Sequence, residues 1–330
     1  MTGISSERQG LQRVELDSGR PAYVLTELIG PVAVGDRVVV NTTAVDLGLG
    51  TGGSDVVHWN LARGRWSSSG GGRVMKLRYT SLQVDTGAAE ESEGYRPPPS
   101  LGTMPVVACS LHSQVPCVAA AFKHLAPERR LAYVMTDGGA LPLALSDVVA
   151  AMCGAGVVDA TVTAGQAFGG HYEAVNVASA LHVAKAAAQA DAVVVGTGPG
   201  VVGTGTKHGT SALEVASVVD LAGRAGGRPV VALRHSGADH RPRHRGLSHH
   251  SLTALEYAHE AAVLPVPRGQ VGPPGWEDDV VEVDVPDVSE LAAAHGLRLD
   301  TMGRDVHHDP LFFAYAAAAG VVAASISSPP

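Results

Sequence analysis

The chain has 330 residues, of which 45% are hydrophobic and only 17% charged, with 40 glycines. This length and apolar share exclude an intrinsically disordered chain and leave room for about two domains. A formal net charge of −8 excludes a protein whose whole surface is given to nucleic acid.

From about Val14 to Thr80 the pattern is short and alternating. PAYVLTEL, DRVVVNTT, DVVHWNL and VMKLRYTSLQV read as strands, broken by Gly30, Gly35 and the GLGTGG run from Gly48 to Gly53. Many short strands with glycine turns predict a small β-rich, barrel-like domain over 1–104. The stretch GAAEESEGYRPPPSLGTM, residues 87–104, is acidic and then proline-rich, and is expected to be the linker.

Past Pro105 the rhythm becomes strand, loop, helix, repeated five times. PVVACS, LAYVMT, VVDATVT, DAVVVG and PVVALR are continuous apolar strands, and each is followed by a polar or glycine-rich loop and an amphipathic helix. Such strands need cover on both faces, which predicts an α/β domain over 105–330 with a mainly parallel sheet. In such sheets ligands bind beyond the carboxyl ends of the strands, so all five loops should share one edge. The tail holds one more strand, VVEVDV, a short helix and an Ala-rich terminal helix from Leu311. That last helix reads as buried or dimer-facing rather than membrane-spanning, so an oligomer is one expectation and a membrane is not.

The densest chemistry follows the fifth strand. RHSGADHRPRHRGLSHHS holds five of the fifteen histidines and four arginines. His240, His244 and His249, with Asp239 nearby, form one candidate set for a divalent metal, since imidazole and carboxylate suit Zn, Mn or Fe. Arg234, Arg243 and Arg245 instead offer planar forks to a carboxylate or phosphate. His249 and His250, after Ser248 at a predicted helix start, would add backbone amides and helix dipole to such an anion site. A solvated or interface loop is the third alternative.

The loop GTGPGVVGTGTKHGTS carries G-x-G-x-x-G at Gly198, Gly200 and Gly203, but no helix starts at once and no acid follows at the next strand end. The P-loop pattern also fails, because Thr206 separates Gly205 from Lys207. What remains is a loop whose amides can approach a ligand, with Thr206 and Lys207 as candidate anion contacts. TDGGALP sets Asp137 at a strand end as a candidate base, metal ligand or cap. LHSQVP sets His112 at another as a candidate proton-transfer group or packing residue, and His171 in AGQAFGGHYE is a further candidate neighbour of the histidine loop. Cys109, Cys117 and Cys153 have no CxxC spacing and are expected to be buried small side chains in a reducing, cytoplasmic setting. MTGISSERQG has no basic start followed by an apolar run, so no signal peptide is expected.

Taken together, NTTAVDLGLGTGG, LHS at Leu111, TDGGALP, GQAFGG, GPGVVGTGTK, RHRGLSHHSLTA and the TMGR near Met302 resemble a bacterial family, domain of unknown function 3866. The resemblance covers nearly the whole chain and implies an alignment, not an activity. The residues themselves predict an enzyme, a hydrolase or group transferase, acting on a small anionic or phosphorylated metabolite, with His112, Asp137 and His244 as candidates for proton transfer or for holding a divalent metal. Its cofactor is unknown, with a divalent metal as the candidate. The alternative is a non-catalytic sensing or assembly protein for a nucleotide-like anion, and no nucleic-acid partner is expected.

Overall fold

The computed structural model describes residues 1–49, 52–67 and 71–326. Gly50 and Thr51 of the GLGTGG run lie outside the described residues. The chain divides into two units, Met1–Ala88 and Ala89–Pro330, and the division falls inside the expected linker.

The first unit is built on five strands: β1 (Gly3–Arg8), β2 (Leu11–Glu15), β3 (Pro21–Leu25), β4 (Val38–Asn41) and β5 (Asp55–Asn60). Their order is β1-β2-β3-β5-β4, antiparallel except where β3 runs parallel to β5. The period-two pattern buries one face, as with Ala22 and Val24 on β3 and Val57 on β5. Two four-residue helices, α1 (Thr26–Ile29) and α2 (Thr43–Asp46), take over where strands were expected to continue, and β6 (Met75–Lys76) pairs with β7 (Val84–Asp85). The expected barrel is corrected. β1 and β4 end the sheet on opposite sides without pairing, so among the described residues the sheet is open. Alternating strands with glycine turns fit an open or closed sheet equally well, and only strand pairing separates them.

In the second unit β8 (Pro105–Cys109), β9 (Leu131–Thr136), β10 (Ala160–Thr163), β11 (Tyr172–Glu173), β12 (Ala192–Thr197) and β13 (Arg228–Ala232) form one parallel sheet. The order is β11-β10-β9-β12-β8-β13. Every residue of β8, β9, β10 and β12 is buried, as a sheet covered on both faces requires. One covering layer comprises α3 (Val115–Leu125), α4 (Asp147–Gly154), α8 (Val288–Ala294) and α9 (Pro310–Ser325). The other comprises α5 (Val177–Ala186), α6 (Glu214–Arg224) and α7 (His249–Tyr257). Beyond β13, β16 (Leu264–Pro267) pairs in parallel with β17 (Val280–Val283). Leu101 and Met104 belong to this unit's core: both are fully buried, and Leu101 N–H donates to Ala225 O at 2.8 Å.

The Ala-rich helix α9 packs on α3, and its small residues explain how closely. A Cβ added at Gly320 would overlap the Val118 carbonyl, so only glycine lets the two backbones approach this far. The composition that suggested a dimer face therefore has a use within the unit. No helix among the described residues is long and apolar enough to cross a membrane.

Candidate functional site

The five polar loops do leave the carboxyl ends of parallel strands, but sheet order keeps some of them apart. At about 4.8 Å per strand, β9 lies about 14 Å from β13 and β10 about 19 Å from it. Asp137, just after β9, is exposed, and its carboxylate accepts the Gln166 N–H at 3.0 Å. His171, on the β10 side, accepts the Thr161 N–H at 3.2 Å. Neither belongs to the histidine cluster that follows β13. Within the six-stranded sheet the neighbour of β13 is β8, and Val263 bridges to its other side.

The histidine loop is a short hairpin. β14 (His235–Ser236) pairs with β15 (Gly246–Leu247), and Ser248 then caps α7 by accepting the His250 N–H at 3.2 Å. The first half of the loop is an ion-pair network. Asp239, fully buried, accepts Arg241 Nε and Nη2 at 2.9 and 2.8 Å and Arg234 Nη2 at 3.3 Å, with Arg304 at 3.7 Å. Burial opposes its charge, but Arg241 and Arg234 hold its carboxyl well below the usual range. Arg304 also pairs with Asp309 at 3.2 Å, and Asp309 accepts Ser236 Oγ and Gly237 N–H. Arg234 thus gives Nη2 to Asp239 while its buried Nε has no hydrogen-bond partner, and burial pushes its guanidinium down to about 10. The sequence suggested an anion fork here, and the acid that the guanidinium meets within the fold is Asp239.

The second half converges. His244, His249 and His250 each offer a ring nitrogen, all within 4.8 Å of one another. His240, expected in this set, is exposed and outside it, and His250 takes its place. Adjacent His249 and His250 sit on the first turn of α7, and their rings lie 4.3 Å apart. His244 reaches the same point from the hairpin, with Nδ1 bonded to Ser248 Oγ at 2.8 Å and Nε2 left over. His249 Nε2 and both ring nitrogens of His250 are buried with no hydrogen-bond partner. Burial, aided by Arg234, pushes His244 down to about 3, burial aided by His249 pushes His250 to about 4, and burial with Arg243 lowers His249 as well, all in the direction of the neutral imidazole. His235, by contrast, stacks on Tyr315 with centroids 4.5 Å apart.

The glycine-rich loop after β12 lies against this trio. A Cβ added at Gly203 would come within 3.6 Å of His250 Cε1, and one at Gly205 within 3.7 Å of the Arg243 guanidinium carbon. Gly198 starts the loop so close to the Ala140 carbonyl that any side chain would overlap it, while Gly200 takes a φ of 94°. Thr206 Oγ1 accepts the Gly209 N–H at 3.1 Å, and Lys207 pairs with Glu256. Both expected anion contacts are therefore engaged within the fold. Arg243 and Arg245 are exposed and make no ion pair among the described residues.

At the end of β8, His112 is locked. Its Nδ1–H donates to Thr197 O at 3.1 Å, so Nε2 accepts from Ser146 Oγ at 2.7 Å. Tyr133 Oη also lies 3.2 Å from Nδ1. Burial pushes His112 down to about 4, against the pull of the Thr197 carbonyl. Ser146 at the same time caps α4 by accepting the Val149 N–H at 3.1 Å. A cleft of about 630 Å³ opens beside His112, between α3, α4, the start of the glycine-rich loop and residues 296–302.

Sequence reasoning missed three of these participants. Ser146 was legible as a helix cap, a serine before Asp147 at a predicted helix start. Glu214 was not: its carboxyl accepts Thr136 Oγ1 at 2.6 Å, 78 residues away, and burial raises its pKa. Arg304 lies in the TMGR string, but nothing local announces its pairing with Asp239. Burial pushes the Cys109 and Cys117 thiols up, consistent with packing roles.

Neither a curated protein nor a solved structure is matched by the chain. The model of one family, described as protein of unknown function (DUF3866), matches residues 21–320, a span that takes in the histidine trio, the ion-pair network and the cleft, and the chain belongs to that family.

Proposed function

We propose that this chain is a metal-dependent hydrolase of small anionic esters, with His244, His249 and His250 holding a divalent transition metal. One observation carries the proposal: three imidazoles present ring nitrogens within 4.8 Å, and His249 Nε2 and both ring nitrogens of His250 are buried without partners. A buried polar atom left unsatisfied costs about 1–3 kcal/mol, and a shared metal ion removes that cost for several at once. Ser248 Oγ beside His244 Nδ1 supplies the outer hydrogen bond that orients a metal-binding imidazole.

Three protein ligands leave a coordination position for water, which is the pattern of catalytic rather than structural zinc. The metal would supply a nucleophilic hydroxide near neutral pH. Arg243, exposed beside the glycine-rich loop, would hold the negative charge of a phosphate or carboxylate ester. A metal-dependent sensing protein is the second reading. It is favoured by His112 being fully hydrogen-bonded and by Asp137 lying about 14 Å along the sheet, so that of the three expected proton carriers only His244 belongs to the trio, where it would be a metal ligand.

Chelator-treated protein titrated with Zn²⁺ or Co²⁺ should bind one equivalent, with a rise in Tm and, for cobalt, visible absorption of a tetrahedral site. His249→Ala and His250→Leu should abolish both. Hydrolysis of p-nitrophenyl phosphate should then follow metal content and fall in Arg243→Ala. Wild-type protein that binds no metal sinks the proposal, while stoichiometric metal without turnover selects the sensing role.

A further inference from the structure

We propose that the cleft beside His112 is a second ligand site, distinct from the histidine trio, and that it takes a small, mainly aliphatic molecule whose polar end is uncharged or cationic. Its position is the first reason. β8 and β12 are neighbours, yet the chain leaves β8 for α3 on one face and β12 for α6 on the other. The sheet therefore splits its connections at this point, where open α/β sheets hold their ligands. The volume, about 630 Å³, lies within the range of small-molecule sites.

The walls set the class of ligand. Leu111, Pro116, Val148, Ala151, Val201 and Met302 supply an apolar lining. The charged residues that line the cleft are two acids, Asp147 and Asp300, and one base, Arg298, a lining charge that opposes a phosphate or a carboxylate. His112 cannot offset it, because both its ring nitrogens are bonded within the fold. Ser113 donates to Thr301 Oγ1 at 3.1 Å across the cleft wall, so these hydroxyls answer each other.

The wall formed by residues 296–302 is held under strain. Met302 takes a φ of 53°, in the left-handed region that residues with side chains rarely adopt. Such a conformation persists only where the surroundings enforce it. Arg241 Nη2 lies 3.0 Å from Met302 Sδ, and Arg304 ties the segment to Asp239. Met302 nevertheless stays 48% exposed at the mouth, where it offers an adaptable apolar surface.

The test uses four probes on the full chain: hexanol, hexylamine, hexanoate and inorganic phosphate, read by calorimetry and thermal shift. Hexanol and hexylamine should bind saturably, hexylamine at least about fivefold tighter than hexanoate, since two carboxylates face one arginine. Inorganic phosphate should not compete with either. Ala151→Trp, at an exposed position of α4, should keep the wild-type Tm and lose binding. In the unmodified chain hexylamine should shift the Met302 methyl resonance and leave that of Met75, in the first unit, unmoved. His250→Leu should bind the aliphatic probes as wild type does, which separates this site from the metal proposal. Failure of every probe to bind, a preference for hexanoate or phosphate, or an unmoved Met302 resonance would each overturn the inference.

Discussion

His112, partly buried, and His250, buried, are imidazoles beyond neighbouring parallel strands, and desolvation pushes both down to about 4. They differ in what surrounds the nitrogens. His112 bonds the Thr197 carbonyl with one and Ser146 Oγ with the other, joining the ends of β8 and β12 to the start of α4. His250 bonds nothing with either. An imidazole's burial therefore says little about its use, whereas the completeness of its hydrogen bonding says much. A satisfied histidine strengthens the fold, and an unsatisfied one is a cost that binding can recover.

Four outcomes would break or sharpen this contrast. The largest should come from the satisfied part of the histidine loop. Asp239→Asn removes the counter-charge of buried Arg234 and of Arg241, and should cost about 3–5 kcal/mol in urea unfolding. A loss under about 1 kcal/mol would show that the network does not hold the loop. His112→Ala should cost about 3 kcal/mol, because Ser146 Oγ and the Thr197 carbonyl lose partners and a cavity remains.

Acid should separate the two groups. His112 has a folded pKa of about 4, below its ordinary 6.5, so the unfolded chain binds more protons between these values. Stability from this source is intact above pH 6.5 and falls as pH drops towards 4, by up to about 3 kcal/mol. Asp239, whose pKa is lowered from 3.8, loses its contribution only below that value. Chemical denaturation of the metal-free protein from pH 7 to 4 should show the first loss and not the second. His112→Ala should flatten part of that slope. The smallest effect belongs to His250→Leu. In metal-free protein it should lie within about 1 kcal/mol of wild type, since replacing an unpaired polar group by an apolar one is near neutral. The same variant should lose the metal-dependent rise in Tm, and a large loss without metal would mean that His250 is structural after all.

Much of the fold was legible because its signals are local. Continuous apolar runs such as AVVVG mark strands buried on both faces, and Ser248 before a helix marks its cap. The site was legible in outline only. Composition singled out the loop from Arg234 to His250, and two of the three converging histidines were in the expected set. His240 and His250 could not be told apart by spacing, since a four-residue interval suits a helix and His240 lies on a hairpin. The arginines misled for a related reason: a guanidinium with an acid nearby in sequence is available or spent depending on side-chain packing.

Sequence periodicity by itself determined that the second unit is a parallel α/β layer structure with its polar loops at one edge, because burial on both faces demands apolar strands and short-range physics sets helix caps. Which loops meet was decided only by tertiary structure. Inserting β12 between β9 and β8 opens the cleft beside His112 and leaves β13 bordered by β8, so Asp137 and His171 stay away from the histidines. Strand order is a matter of long-range pairing, with partners as far apart as β12 and β8, and no local pattern encodes it.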